Sequence, residues 1–467
     1  MTTQIVLATT AFGLVTATAA YESGMLERCE RRILAVACTT AMPEATAPMR
    51  AIAGVPDLMS RFDAVYDYNA SIEPLHPSTW RPRPGDLPLW ERHFRLLWDL
   101  GDDDLHLVVE SIHVNPAQAL VRIFGDARID VYADGLMSYG PTRTALPEMV
   151  ASRIERLLHL DLVPGVRPLL FSERQAPTAV IPTESFRGVA KIMVADRTAV
   201  GGTDSIALIL GQYLAANELV TELEELDLYT TMVSACAAAG YSSLVFKPHP
   251  SASAAHAARL NDVAHALGVR LAVVDGPELA EAWFERGGVE LVVGCFSTAL
   301  LTASSLYGLP VARLGTEMML EQLTPFQNSN RIPVTLVDAL VPNLSRDLSS
   351  LIRSENPPRR SMEEIGALVL AVGYAMQPQR LAARRTEAAA FLAEHYETHS
   401  RYFKRRRLTR LGLPGSLPAP APLPQPTIGR RVRRRVRRAR SSVGQWLVGA
   451  SRPQPRADRS AARCPEP

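Results

Sequence analysis

Short apolar runs alternate along this chain with longer stretches in which apolar residues recur every three or four positions. Short apolar runs predict buried strands, and the three-to-four spacing predicts helices. The strand-like runs lie at residues 4–8, 33–37, 105–109, 129–133, 206–210, 243–246, 270–274, 289–293 and 311–314. Helical spacing begins at Leu14 and recurs at residues 90–100, 116–124, 219–239, 254–267, 277–286 and 299–307. This alternation favours an α/β fold with parallel sheets covered on both faces.

The alternation restarts near Ser205, and 467 residues exceed the size of one ordinary core. We therefore predict two Rossmann-like domains, residues 1–185 and 186–345, that face each other across a ligand cleft. Helical spacing at residues 362–376 and 381–404 predicts a set of C-terminal helices within residues 346–411.

The end of the chain has a different composition. Residues 412–427 carry proline at every second position from Pro418 to Pro426 and predict an extended linker. Residues 428–450, from Ile428 to Ala450, combine regularly spaced apolar residues with eight arginines and predict a basic amphipathic helix. Residues 451–467 predict a disordered tail.

The net charge of +2 conceals an asymmetry between the body and the tail. Residues 404–467 hold 17 basic and two acidic residues, a net charge of +15, which leaves −13 for residues 1–403. An anionic partner that binds through bulk charge is therefore expected at the tail. An anionic membrane surface is the partner we favour for residues 428–450, because nucleic acid does not require the regular apolar spacing.

Five scattered cysteines without metal-ligand spacing predict a reduced compartment and no structural metal. Residues 5–20 are apolar and imitate a signal peptide, but they lack a basic start. We interpret them as a first strand, a loop at residues 9–13 and a helix. Because no run reaches about 18 apolar residues, we expect a cytoplasmic protein that is peripheral at the inner face of the cell membrane.

Polar residues follow four of the predicted strands, at the edge where parallel α/β folds bind ligands. They are Asp134 after 129–133, Gly211 and Gln212 after 206–210, Lys247 and His249 after 243–246, and Ser297 and Thr298 after 289–293. A carboxylate can act as a general base, while cations and hydroxyls at a helix start stabilise a phosphate. Together they indicate group transfer from a nucleotide donor.

Each of these motifs also has a more ordinary interpretation. Asp134 followed by Gly135 is typical of a turn, and Ser297 is a suitable N-cap for the next helix. His249 is also compatible with a buried core histidine or with a position next to a helix cap. Their occurrence at comparable strand ends is what favours a shared site.

The pair Asp134-Gly135, the run Lys247-Pro248-His249-Pro250 and the pair Ser297-Thr298 resemble the motifs of bacterial sialyltransferases, most closely the bacterial α-2,8-polysialyltransferase family. The similarity covers residues 1–345 in order and spacing. It implies a GT-B-like fold with an N-terminal acceptor domain and a C-terminal donor domain. It also implies CMP-sialic acid as the donor, a glycan acceptor, and inverting transfer without metal or cofactor. By this resemblance Asp134 is the base, His249 assists departure of the CMP phosphate, and Ser297 and Thr298 bind that phosphate.

One position departs from the family pattern. The family usually has two acidic residues before its glycine, whereas this chain has Ala133 at the first of them. If the first acid were the base, the protein would be catalytically impaired, or Asp134 would have to act from a shifted position, or Glu110 would have to substitute for it.

We therefore predict a sialyltransferase-like enzyme of polysaccharide biosynthesis. Two alternatives stay open at this point. One is transfer of another CMP- or CDP-linked group, such as Kdo or glycerol phosphate. The other is a non-catalytic protein that binds a membrane or nucleic acid through its tail.

Overall fold

The computed structural model describes residues 1–133, 135–194, 205–248, 255–274, 276–346 and 361–417. Over these residues the strands form two sheets, and all strand pairs within them are parallel. The first sheet has the order β3-β2-β1-β4-β5-β6-β7 and the second has the order β10-β9-β8-β11-β12.

The strands of the first sheet are β1 (Thr2–Ala8), β2 (Arg31–Val36), β3 (Ala64–Asp67), β4 (Asp104–Glu110), β5 (Arg128–Tyr132), β6 (Ile154–Leu160) and β7 (Thr178–Ile181). Those of the second sheet are β8 (Ile206–Leu210), β9 (Ser243–Lys247), β10 (Arg270–Val273), β11 (Val289–Gly294) and β12 (Val311–Arg313). In each sheet the strand order reverses beside the first strand, at β1/β4 and at β8/β11. Such reversals open a crevice at the carboxyl ends of the strands.

The helices of the two Rossmann-like units are α1 (Ala11–Glu22), α2 (Val55–Met59), α3 (Tyr68–Ile72), α4 (Leu87–Leu97), α5 (Ala117–Ile123), α6 (Glu148–Ala151), α7 (Thr183–Ile192), α8 (Glu222–Ala238), α9 (Ala255–Ala266), α10 (Ala280–Arg286), α11 (Thr298–Leu306), α12 (Thr316–Gln322) and α13 (Arg331–Leu340). Within residues 361–417 the structure describes three further helices, α14 (Met362–Met376), α15 (Arg385–His399) and α16 (Arg405–Leu411).

One continuous hydrophobic cluster joins the two sheets. It contains Val6 and Val108 from one face of the first sheet, Leu208 and Val292 from the second sheet, and Leu368 from α14. A separate cluster fills the opposite face of the first sheet. Burial of apolar surface is the main favourable term in folding, so the shared cluster holds the two units together.

Helix α14 contacts the first unit at positions where the chain has glycine. A Cβ added at Gly373 would lie 2.7 Å from Leu169 Cδ1, and one added at Gly366 would lie 3.8 Å from Val166 Cγ2. The side-chain amide of Gln377, just after α14, donates to the Arg143 carbonyl of the first unit over 3.2 Å. On the other side, the Tyr402 hydroxyl donates to Asp338 of α13, in the second unit, over 2.8 Å. The C-terminal helices thus pack on both units and restrain their relative position.

A row of polar side chains crosses the first sheet on the face that carries the shared cluster. Arg32 donates to Gln4 over 2.5 Å, and the Gln4 amide lies 3.0 Å from His106 Nδ1. His106 Nε2 lies 3.3 Å from Asp130 Oδ2, and Arg156 donates to both oxygens of Asp130 over 3.0 and 2.7 Å. Burial of Asp130 opposes ionisation, but the hydrogen bonds from His106 and Arg156 outweigh burial and lower the pKa of Asp130.

The predicted α/β class with two Rossmann-like units built on parallel sheets is confirmed. The structure adds elements that the apolar pattern did not indicate, namely the strands β3, β6 and β7 and the helices α2, α3, α6, α7, α12 and α13. Helix α1 begins at Ala11 and not at Leu14, because the Thr10 hydroxyl accepts a hydrogen bond from the Gly13 amide over 2.9 Å and caps the helix earlier.

The C-terminal predictions lie largely outside the described residues. Helix α16 ends at Leu411, and Gly412 follows in the left-handed conformation. The alternating prolines from Pro418 to Pro426, the predicted basic helix at 428–450 and the tail at 451–467 all lie beyond residue 417, whereas Pro414 of the predicted linker is among the described residues. Among the helices that are described, none combines the length and the apolar character needed to cross a bilayer.

Candidate active site

The loop after β5 carries the predicted acid–glycine pair. Tyr132 ends the strand, and its hydroxyl donates to the Leu7 carbonyl over 2.7 Å. Ala133 continues the sheet pairing through its N–H, which donates to the Leu158 carbonyl over 2.8 Å. Its side chain belongs to the separate cluster on the face of the first sheet opposite the shared cluster. Asp134 itself lies outside the described residues.

Gly135 brings this loop against the second unit. Its backbone φ of +117° lies in a region that residues other than glycine rarely adopt. A Cβ at this position would lie 2.6 Å from Thr298 Cγ2 and 2.7 Å from Thr298 Oγ1. The next amide, that of Leu136, donates to Thr298 Oγ1 over 3.4 Å. The structure therefore brings the loop of the predicted base to the loop of the predicted phosphate ligands.

The loops after β8 and β9 also meet closely. The Gly211 amide donates to the Lys247 carbonyl over 2.8 Å. A Cβ at Gly211 would lie 3.0 Å from Pro248 Cα and 3.0 Å from the ring of Phe246, so only glycine fits without displacement. His249 lies outside the described residues, but Lys247 and Pro248, which precede it, are in contact with Gly211.

Gln212 links this pair of loops to the loop after β11. Its side-chain oxygen accepts a hydrogen bond from the Phe296 amide over 2.8 Å. Because Phe296 directly precedes Ser297, this contact fixes the start of the predicted phosphate loop. Gln212 thus holds the loop in place, a role that the sequence did not distinguish from direct donor binding.

Ser297 forms the N-cap of α11. Its hydroxyl accepts a hydrogen bond from the Ala299 amide over 3.3 Å, as the ordinary interpretation of this residue expected. The Leu300 amide also donates to the Ser297 carbonyl over 3.1 Å. This capping does not exclude an anion, because the dipole of a helix start favours negative charge. Ser297 and Thr298 are both half-buried at this helix start.

Two residues of α8 hold the loop after β8, and the sequence analysis did not select them. The Glu225 carboxylate accepts hydrogen bonds from the amides of Leu214 and Ala215 over 3.1 and 2.9 Å. The Tyr229 hydroxyl accepts a hydrogen bond from the backbone N–H of Gln212 over 2.7 Å and lies 2.5 Å from Glu225 Oε1. The i, i+4 spacing of these residues on a predicted helix was the available signal.

Lys247 supplies a buried cation at the end of β9. Its side chain is 9% exposed, and burial lowers its pKa, while the charges of Glu281 and Glu278 act in the opposite direction. Glu281, on α10, is 3% exposed, and burial raises its pKa to about 7 against the charge of Lys247. Below that pH Glu281 is mostly neutral, so a phosphate near Lys247 does not meet a full negative charge there.

Glu110, the suggested substitute for the missing acid, is engaged elsewhere. It ends β4 beside the β1/β4 reversal and is 3% exposed. Its carboxylate accepts hydrogen bonds from the Thr9 amide and hydroxyl over 3.0 and 2.8 Å and from the Thr10 hydroxyl over 3.0 Å. Glu110 thereby stabilises the start of α1, which makes it poorly suited to accept a proton from a substrate.

Within the described residues, one group of possible metal ligands lies close together. Ligand atoms of His106, Asp130 and Glu155 fall within 4.8 Å of one another. Arg156 already donates two hydrogen bonds to Asp130, and Arg128 lies 3.7 Å from Glu155. Two guanidinium groups therefore already pair with these carboxylates, and the group lies apart from the loops described above.

The comparisons with known proteins come from sequence and from structure. The model of the alpha-2,8-polysialyltransferase family matches residues 4–316, about two thirds of the chain. No match to a curated protein sequence was found.

Several solved structures are similar to this chain at low identity. UDP-GlcNAc 2-epimerase from Neisseria meningitidis, bound to UDP-GlcNAc, has a TM-score of 0.43 at 11% identity, with 76% of this chain and 90% of that chain covered. A UDP-N-acetylglucosamine 2-epimerase from Listeria monocytogenes has a TM-score of 0.40 at 9% identity, covering 81% and 97%. The GT-B domain of a sialyltransferase from Photobacterium damselae has a TM-score of 0.38 at 11% identity, covering 72% and 96%. Likenesses at this level assign neither function nor site.

Replacing Glu281 with Gln is expected to raise the free energy of unfolding at pH 8 by about 3 kcal/mol, and at pH 4.5 by less than about 1 kcal/mol. In the folded protein the pKa of Glu281, about 7, lies above the ordinary glutamate pKa of 4.5. The wild-type protein therefore loses stability as the pH rises from 4.5 through about 7, whereas Gln does not titrate. Urea unfolding at the two pH values measures the difference.

The matched control is Glu278→Gln, on the loop before the same helix. Glu278 accepts two hydrogen bonds from Arg286 over 3.0 and 3.1 Å, so its loss should lower stability at both pH values. A stabilisation by Glu281→Gln that is the same at pH 4.5 and pH 8 would contradict the assigned pKa.

Proposed function

The chain belongs to the alpha-2,8-polysialyltransferase family, and we propose that it transfers sialic acid from CMP-sialic acid to a glycan acceptor with inversion at the anomeric carbon. The observation that carries this proposal is the convergence of loops from both units. The loop after Asp134 contacts Thr298, and the loop after β8 contacts Lys247 and Pro248. In this proposal the first unit supplies the proton acceptor and the second unit supplies the phosphate-binding groups.

In the proposed mechanism Asp134 removes the proton of an acceptor hydroxyl as its oxygen attacks the anomeric carbon of the donor. The bond from that carbon to the phosphate oxygen of CMP breaks, and negative charge develops on the phosphate. Lys247, His249 and the helix start at Ser297 and Thr298 stabilise that charge. The proposal includes no metal and no cofactor, because these groups already provide the positive charge that the leaving phosphate needs.

The environment of Ala133 supports Asp134 as the base. Ala133 is 5% exposed and its methyl group lies in an apolar cluster. A carboxylate at that position would lose its hydration without a partner, which is costly. The acid of this motif is therefore expected at position 134 in this chain.

Replacing Asp134 with Asn is expected to lower kcat by about 10² to 10⁴ and to leave CMP binding unchanged, because only proton removal is lost. Replacing His249 with Ala is expected to lower kcat by about 10² to 10³, because a donor to the leaving phosphate is lost. Steady-state transfer of labelled sialic acid and calorimetric CMP binding measure both.

The controls for this pair are Asp126→Asn and His265→Ala, since both residues are exposed and neither follows the carboxyl end of a strand. Undiminished turnover in Asp134→Asn or in His249→Ala would reject the role of that residue.

The identity of the donor nucleotide is tested by thermal shift of the full chain with CMP, CDP, UDP and GDP. A ligand at 100 times its Kd stabilises the folded state by about 2.7 kcal/mol, so CMP is expected to raise Tm by several degrees and GDP to leave it unchanged. Stabilisation by GDP without CMP would overturn the cytidine donor. CDP as the strongest ligand would favour transfer of a CDP-linked group.

The C-terminal segment 428–450, which lies outside the described residues, is proposed to attach the enzyme to an anionic membrane surface at the inner face of the cell membrane. Its eight arginines contribute about 1 kcal/mol each near such a surface. Replacing these arginines with Gln in the full chain should abolish sedimentation with vesicles containing phosphatidylserine.

Replacing Arg405, Arg406 and Arg410 with Gln provides a control with the same kind of change, because these arginines are exposed on α16. Binding of duplex DNA in a gel shift without vesicle binding would favour the nucleic-acid alternative instead.

A further inference from the structure

Thr298 is the first residue of α11, and its side chain is one point at which the two units meet beside the strand ends. The turn Leu136–Tyr139 also packs against α13 of the second unit. Its hydroxyl oxygen accepts the Leu136 N–H over 3.4 Å. A Cβ on Gly135 would lie 2.6 Å from its methyl carbon and 2.7 Å from its hydroxyl oxygen. Thr298 therefore fills the space that a side chain at position 135 would occupy.

This contact acts on the residue that follows the proposed base. Gly135 is bonded directly to Asp134, and its φ of +117° turns the chain so that the Leu136 amide faces Thr298. The amide of Ser138 then donates to the Gly135 carbonyl over 3.2 Å, which continues the turn at Leu136–Tyr139. The backbone on the C-terminal side of Asp134 is thus held by a side chain of the other unit.

Helix α11 makes a second contact with the first unit, seven residues further along the chain. The Ser305 hydroxyl donates to the Leu162 carbonyl over 2.8 Å. This bond is shorter than the bond at Thr298, but it does not involve the loop after β5. The two contacts belong to the same helix and the same interface, and they differ in whether they reach the loop of Asp134.

We propose that Thr298 is a positioning residue that sets the place of the Asp134 loop relative to the donor phosphate, and that its main contribution is to turnover and not to donor affinity. The inference rests on the proposed function, in which Asp134 is the base. The hydrogen bond is long, so the fit of the Thr298 side chain against Gly135 contributes most of the restraint.

The two possible roles of Thr298 predict opposite patterns among its variants. A phosphate ligand acts through its hydroxyl, so Thr298→Val would be as impaired as Thr298→Ala, whether the loss appears in turnover or in the donor Kd. A positioning residue acts through its shape, so Val, which has the same shape as Thr, would rescue what Ala loses.

We expect Thr298→Ala to lower kcat about 10- to 100-fold, as a displacement of about 1 Å would do, with the donor Kd changed by less than about threefold. Thr298→Val should recover at least half of the wild-type kcat, and Ser305→Ala should match the wild type. Equal impairment of Val and Ala, or a loss confined to the donor Kd, would overturn the proposal.

Hydrogen exchange of the peptide that spans residues 135–140 tests the same contact without relying on activity. In the full chain this peptide should exchange faster in Thr298→Ala than in the wild type or in Ser305→Ala, because the loop loses its neighbour. Unchanged exchange would overturn the positioning role. Absence of transfer by the wild-type chain would instead count against the proposed function, and the exchange result would still decide whether Thr298 holds the loop.

Discussion

The continuous hydrophobic cluster between the two sheets is the constraint on which the rest of the structure depends. It runs from β1 through β8 to α14, so separating the units would expose a large apolar area to water. With the sheets fixed in this way, the loops at the carboxyl ends of β5 and β11 lie close enough for Leu136 and Thr298 to share a hydrogen bond. The approach of these two loops is therefore a product of core packing and needs no ligand.

Much of the fold could be predicted from the apolar pattern, and the exceptions have physical reasons. Strand β8 lies between polar residues and helix α14 begins after its cap Ser361, so both have the bounds that the pattern predicted. The edge strands β3 and β7 have exposed positions and lack a continuous apolar run. Strand β6 was missed because Arg156 interrupts its apolar residues, and a sequence does not reveal that this arginine pairs with the buried Asp130.

The site was predictable where chemistry and chain direction coincide. Parallel strands bring their carboxyl ends to one edge, which is why Gly211, Lys247 and Thr298 come together although they are far apart in sequence. Glu225 and Glu281 were not predictable in the same way. Each lies on a helix among other acidic residues, and only the packing shows that these two are buried. Their contribution depends on distances between elements, which a pattern along one chain does not contain.

The thiol of Cys295 stands two residues before Ser297 and is 1% exposed. Burial raises its pKa, so the reactive thiolate is scarce in the closed structure. An alkylating reagent can reach this sulfur only when the end of β11 opens locally. The rate at which Cys295 is alkylated therefore reports how often the end of β11 opens locally. A bound nucleotide that restrains this segment would slow the alkylation, which can be measured without an assay of catalysis.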